Sequence, residues 1–315
     1  MGRATYGAPG RMRPGASDVR TCWRTMVVSA VLLACVAGRG RAEVPPAPRQ
    51  LAPETWADDN LAIGYVGHAS VLLKMTGTYV LTDPTFFDRG GVRLGPITVG
   101  PRRLVKPALS LARLPKLAAV VVTHAHFDSL DLPSLEALPK DATLVAPTNC
   151  RDLLGGLGFR RYVELAWGEE VTVDGVRIEA VPVAHWGARY PWGMPRGYNG
   201  YVFSKDGVRV LFASDTAYTT AFSRLRDGDK PLDVAVFGNG AYDPWIRNHA
   251  DPEQVWQMFV QSGARFLVPV HYDTFRLGKE PLGDAMHRLL AAAGADADRI
   301  VIREIGGEWS LRHGP

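Results

Sequence analysis

A chain of 315 residues with 46% apolar and 22% charged content is long enough to bury one large core or two small ones. Its net charge of +4 comes from the start, where Arg3, Arg11, Arg13, Arg20, Arg24, Arg39, Arg41 and Arg49 face only Asp18 and Glu43; the remainder is close to neutral. No concentrated basic stripe follows, which argues against a nucleic-acid partner, and three cysteines are too few for a disulfide framework.

Residues 1–25 are rich in Gly, Arg and Pro, and Thr25-Met-Val-Val-Ser-Ala-Val-Leu-Leu-Ala34 follows as a short apolar core. A basic segment before an apolar one too short to span a bilayer reads as an export leader, residues 1–42. Gly40-Arg-Ala42 offers a cleavage site after Ala42. Alternatively, Leu32-Leu-Ala-Cys35 resembles a lipobox that would put a lipid on Cys35 and anchor the chain to a membrane. Translation from Met12 or Met26 would shorten the leader. A mitochondrial presequence also suits the arginines, but the compact apolar core favours a periplasmic or envelope-anchored protein. Residues 43–54, with Pro45, Pro46, Pro48 and Pro53, read as an extended linker onto a domain at 55–315.

That domain begins with three short strands, 61–66, 70–74 and 79–82, separated by Gly-containing turns. His68 lies in the first turn, either within reach of a pocket or as a plain loop residue, and Asp83-Pro84 closes the third strand. Residues 86–116, rich in Gly, Pro and Arg, read as a long loop. The apolar run Leu117-Ala-Ala-Val-Val-Val122 reads as a buried strand. It leads into Thr123-His-Ala-His-Phe-Asp-Ser-Leu-Asp131, where His124, His126 and Asp128 arrive within five residues, followed by Ser129 and Asp131. A divalent metal wants such donors on a stiff element.

A short helix is expected over 132–138, a strand over 143–147 and a helix over 151–157, with Cys150 as a small buried residue. Strands at 163–165, 170–173 and 176–183 follow, the last two joined by an Asp174-Gly175 hairpin turn. The third ends at His185. Then comes Trp186-Gly-Ala-Arg-Tyr-Pro-Trp-Gly-Met-Pro-Arg-Gly-Tyr-Asn-Gly200, which reads as a lid or substrate wall, with a packed surface loop as the alternative. A hairpin over 201–204 and 208–213 delivers Asp215. A strand is expected over 232–237 and an amphipathic helix over 252–262 capped by Asp251. The strand at 265–270 ends on His271, a helix spans 283–293, and strands at 301–302 and 309–311 close the chain. Four of the eight histidines end apolar strands in this way, and α/β folds place their sites along such rims.

The order His124-x-His126-x-Asp128, His185, Asp215, His271 resembles the metallo-β-lactamase fold superfamily. The resemblance is to the branch that includes N-acylphosphatidylethanolamine phospholipase D and its bacterial relatives. It is carried also by Gly64-Tyr-Val-Gly-His-Ala-Ser-Val-Leu-Leu73, Leu81-Thr-Asp-Pro-Thr-Phe86, Gly240-Ala-Tyr-Asp-Pro-Trp245 and Val270-His-Tyr-Asp-Thr-Phe275, from about Leu61 to about Leu311. It implies an α/β fold, a four-layer αβ/βα sandwich of two mixed sheets flanked by helices. It implies one metal on His124, His126 and His185, and a second on Asp128, residue 129 and His271, bridged by Asp215. The family has His where this chain has Ser129, so the second site is expected to lose a donor and bind more weakly. Asp83 resembles a position supporting the site from behind, or is a turn Asp before Pro. His249 falls near a position associated with substrate, or is a loop His beside a cap.

The resemblance further implies a hydrolase in which metal, zinc with iron or manganese as alternatives, activates water. Asp215 would orient the reacting groups and Asp128 would accept a proton. Trp186 and the insert would face an amphiphilic substrate. The leading substrate is a phosphodiester of a lipid, as for a phospholipase D. The alternatives are a lactone or amide, or ligand binding without turnover by a metal-poor homologue.

Overall fold

The computed structural model describes residues 43–58, 61–226 and 231–311. The expected leader, 1–42, lies outside the described residues. Among the described residues, no helix is long and apolar enough to cross a membrane.

The domain is built on two mixed sheets. The larger contains β1 (Leu61–Gly67), β2 (Ser70–Met75), β3 (Thr78–Thr82), β6 (Leu117–Val121), β7 (Thr143–Pro147), β8 (Arg161–Leu165) and β15 (Glu308–Leu311), in the order β15-β1-β2-β3-β6-β7-β8. A small hairpin, β4 (Val92–Leu94) with β5 (Ile97–Val99), stands apart. The second large sheet has β9 (Glu170–Val173), β10 (Val176–Val181), β11 (Gly200–Lys205), β12 (Val208–Ser214), β13 (Val234–Gly238) and β14 (Phe266–Val270), in the order β14-β13-β12-β11-β10-β9. In each sheet the hairpin-connected strands pair antiparallel, and parallel pairing begins at β3–β6 and at β12–β13.

Alternation explains why the strands read as nearly continuous apolar runs. In β12, Val208, Val210 and Phe212 join the main core with residues of the larger sheet, whereas Leu211 and Ala213 face a second cluster. β13 divides likewise, with Val234 and Val236 on one side and Ala235 and Phe237 on the other. The second cluster includes Val255, Met258 and Phe259 of α3 (Pro252–Ser262) and Leu289 and Ala293 of α4 (Asp284–Ala293). A strand covered on both faces needs no polar positions. Two shorter helices, α1 (Leu132–Ala137) and α2 (Arg151–Leu154), follow β6 and β7. The result is the four-layer αβ/βα arrangement.

Local signals act as expected at the turns and caps. Asp174 and Gly175 both take positive φ, 45° and 82°, which a two-residue hairpin turn with matching twist requires. Asp251 caps α3 in a reciprocal capping box with Gln254.

Four readings are corrected. The stretch 43–54 is not a free linker. Val44, Ala47 and Leu51 are buried, the Leu51 N–H donates to the Ala108 carbonyl, and the Lys106 N–H donates to the Pro45 carbonyl. Apolar residues spaced among its prolines give it a face to bury. The loop 86–116 contains the β4–β5 hairpin and a 3₁₀ turn at Leu111–Arg113. The helix expected over 151–157 stops at Leu154, and no strand forms at 301–302, where the preceding Ile300 makes a single parallel bridge with Leu267.

Candidate metal centre

The C-terminal ends of β1, β3, β6, β12 and β14 bring His68, Asp83, the His124–Asp128 loop, Asp215 and His271 to one rim, and His185 follows β10. Three groups of potential ligands converge there, with donor atoms in each within 4.8 Å of one another: His124, His126 and His185; His68, Asp128 and His271; His185, Asp215 and His249. Asp215 Oδ2 lies 3.6 Å from His124 Nε2 and 3.2 Å from His271 Nε2, and so faces the first two groups together.

The imidazoles are aimed by groups behind them. Asp83 is fully buried and accepts from the Thr123 N–H at 2.8 Å, the Thr123 hydroxyl at 2.7 Å and the Ser214 hydroxyl at 2.9 Å. With its own proton given to Asp83, the Thr123 oxygen is left to accept from His124 Nδ1, 2.9 Å away. His185 Nδ1 lies 2.9 Å from the Asn248 carbonyl, an obligate acceptor, and so carries its proton there. Both rings therefore present a bare Nε2 to the cluster, the tautomer a metal ligand needs. His126 is set by the Trp186 ring, centroids 4.1 Å apart, and its Nδ1 lies 3.2 Å from His185 Nε2.

Burial depresses the imidazole pKa values, that of His68 to about 4 and those of His126 and His249 to about 3, and it also lowers His124 and His185. Neutral rings keep their lone pairs free. His271 departs from this: burial lowers it, but the Asp215 and Asp128 carboxylates outweigh burial and push it up to about 10. Burial raises Asp83 to about 8 against its three hydrogen bonds.

The donor set fits a divalent cation. His124 Nε2, His126 Nε2 and both Asp215 carboxylate oxygens are buried without a hydrogen-bond partner. Asp215 is close enough to His271 for an ion pair but lacks hydrogen-bond geometry. Isolated orphans of this kind are rare in native proteins, and a cluster of neutral imidazoles around a carboxylate suits zinc, manganese or iron.

The structure brings His124, His126, Asp128, His185, Asp215 and His271 together, with His68 and His249 among the same donor groups. Ser129 is buried and its hydroxyl has no hydrogen-bond partner. Asp131 turns away to cap α1, accepting from the Ser134 N–H at 3.2 Å and from the Ser134 hydroxyl at 2.5 Å. Asp128, the expected proton acceptor, sits between two imidazoles. Burial raises its pKa, but hydrogen bonds with His271 and His68, at 3.2 and 3.0 Å, outweigh burial and hold the carboxyl well below its usual range.

Thr123 and Arg189 went unnoticed in the sequence. Arg189, 8% exposed, donates to the Ala125 carbonyl at 3.0 Å and the Leu130 carbonyl at 2.8 Å, and covers the Phe127 ring. It ties the 186–200 insert to the metal-binding loop. Thr123 could have been found from its place directly before His124 at a strand end; an Arg among aromatics carried no such signal.

A four-layer αβ/βα fold with these donors along its rim defines a class, the metal-dependent hydrolases of the metallo-β-lactamase type. The chain belongs to the beta-lactamase superfamily: the profile described as "Beta-lactamase superfamily domain" matches residues 78–272. That span includes every strand-end donor except His68. A Mycobacterium tuberculosis protein is 35% identical over 266 residues, covering 81% of this chain and 71% of its own length. The mitochondrial N-acyl-phosphatidylethanolamine-hydrolyzing phospholipase D of Saccharomyces cerevisiae is 29% identical over 77% of this chain, which spans 54% of that enzyme. Isothiocyanate hydrolase from Delia radicum gut bacteria shares the fold with a TM-score of 0.63 at 19% identity, covering 79% of this chain and 98% of that one.

Proposed function

We propose that this protein hydrolyses a phosphodiester bond of a phospholipid, with zinc held by His124, His126, His185 and Asp215. The observation that carries the substrate class is an aromatic wall continuous with the donors. Trp186 packs on His126, Phe127 meets Tyr190 edge-on at 5.3 Å, and Tyr190 stacks on Trp192 at 5.6 Å. Trp192 is 71% exposed and Met194 53% exposed. Large apolar side chains left in solvent beside a polar centre suit a substrate with an acyl chain and a charged head group. The resemblance to a lipid-cleaving relative supports the same reading.

Zinc held there would lower the pKa of a bound water toward neutrality and would polarise a phosphoryl or carbonyl oxygen. The chain's own residues do the positioning. Asp83 and Thr123 fix His124, the Asn248 carbonyl fixes His185, and Arg189 holds the loop between Ala125 and Leu130. Asp215, with both oxygens free of hydrogen bonds, neutralises cationic charge at the centre. The aromatic wall seats the acyl chain so that the head group lies over the donors. Export through the 1–42 leader belongs to the same proposal, supported by the apolar core Thr25–Ala34 and by the need to reach envelope lipids.

The test compares zinc-loaded full-length protein on micellar N-acylphosphatidylethanolamine, a soluble aryl phosphodiester and a lactone. The micellar phosphodiester should turn over fastest, and Trp192→Ala should lower that rate more than the soluble one. Preferential lactone cleavage would make the protein a carbonyl hydrolase, and binding without turnover would remove it from the enzymes.

A further inference from the structure

We propose that His68 completes a second divalent-cation site with Asp128 and His271, standing where the sequence offers only Ser129. The inference rests on the metal-dependent reading of the first group. His68 Nε2 lies 3.0 Å and His271 Nε2 lies 3.2 Å from the same oxygen, Asp128 Oδ2, and the two ring centroids are 4.0 Å apart. Asp215, 3.2 Å from His271, is near enough to serve both groups.

The backbone is built to hold this pair. His68 and His271 both adopt left-handed conformations, φ 56° and 67°, which non-glycine residues seldom take. Each such conformation is strained and persists only where the surroundings impose it. Here they do. The His271 N–H donates to the His68 carbonyl at 2.8 Å, and the His68 N–H donates to the Thr274 hydroxyl at 2.8 Å. Phe275 packs edge-on against the His68 ring at 5.0 Å, and the Arg103 guanidinium lies over Phe275. Gly67, φ 132°, makes room: a Cβ there would sit 2.9 Å from Arg103 Nη2. A solvent-facing loop histidine needs none of this bracing. The β1–β2 turn and the turn after β14 are thus locked together so that one imidazole from each faces a single carboxylate.

Two imidazoles and one or two carboxylates make a site for a zinc, manganese or iron(II) ion. The expectation that Ser129 leaves the second site one donor short is thereby replaced, because the missing imidazole arrives from a residue 61 positions earlier in the chain.

The experiment titrates metal-free full-length protein with zinc and measures bound equivalents by equilibrium dialysis and elemental analysis. Wild type and Ser129→Ala should each bind two equivalents. His68→Ala should keep the first and weaken the second by more than ~100-fold, since losing even a residue behind a ligand costs about 10–100-fold. Two tight equivalents in His68→Ala, or one in wild type, would overturn the site while leaving the first metal in place. None in any protein would overturn it together with the metal-dependent reading. Should His68→Ala fail to fold, the imidazole nitrogen resonances of His68 in wild type decide: they should shift with the second equivalent, and no shift would refute the assignment.

Discussion

Replacing Thr123 by valine keeps the β-branched shape at the end of β6 and removes one hydroxyl. That hydroxyl donates to Asp83 at 2.7 Å and accepts from His124 Nδ1 at 2.9 Å, both within a fully enclosed site. Asp83 keeps the Thr123 N–H and the Ser214 hydroxyl, so it is weakened but not orphaned. His124 Nδ1 has no such reserve, and an unsatisfied buried donor costs about 1–3 kcal/mol. The ring also becomes free to turn and to change tautomer. Loss of a ligand's hydrogen-bond partner weakens metal affinity about 10–100-fold, or roughly 1.4–2.7 kcal/mol. Denaturant unfolding should therefore show a loss of about 1–3 kcal/mol without metal. With zinc in excess a further roughly 1.4–2.7 kcal/mol should be lost, because metal bound only to the folded state adds its affinity to stability. Competition with a chelating dye measures the affinity directly. A folded Thr123→Val protein with wild-type zinc affinity would refute the claim that Thr123 sets the orientation of His124.

Arg189→Ala should strand the Ala125 and Leu130 carbonyls, cost about 1–3 kcal/mol, and speed amide exchange across residues 125–130 ahead of the rest of the sheet; exchange unchanged there would remove Arg189 from that role. Asp251→Ala should lose about 0.5–2 kcal/mol in unfolding experiments and fray the first turn of α3, since the Gln254 N–H loses its carboxylate acceptor while only the backbone half of the capping box remains. Burial pushes the Cys150 thiol up to about 12, so the folded state keeps a proton that the unfolded chain releases near 9. The stability this contributes is intact below pH 9 and declines as pH rises toward 12. Cys150→Ala should remove that part of the decline, and the native thiol should resist alkylation at pH 8; rapid labelling of folded protein would contradict its burial.

Much of the architecture was legible because burial on both faces leaves a mark on composition. Leu117–Val122 is apolar throughout because it lies within the main core, and Val208–Ala213, interrupted only by Arg209, divides its apolar residues between two clusters. Donors at the ends of such runs stood out for the same reason: a His or Asp directly after a covered strand sits where the sheet meets solvent. The 43–54 segment misled because proline spacing masked the apolar contacts of Val44, Ala47 and Leu51. Residues 301–302 were apolar enough for a strand but form none, the one bridge there being made by Ile300 with Leu267.

The chain's own order of residues determined the strand-end donors, the hairpin turns and the α3 cap, because each depends on neighbours a few positions away. Only the tertiary structure decided which donors stand close together. His68 and His271 are brought to one carboxylate by a bond between two turns more than 200 residues apart, and their left-handed backbones are imposed by that bracing. Arg189 reaches back from the insert to the 125–130 carbonyls across a comparable fold-dependent path, and Asp131 is drawn away from the site to cap α1. Spacing along the chain encodes local geometry; a three-dimensional cluster whose members come from several turns is specified by the register and packing of whole sheets.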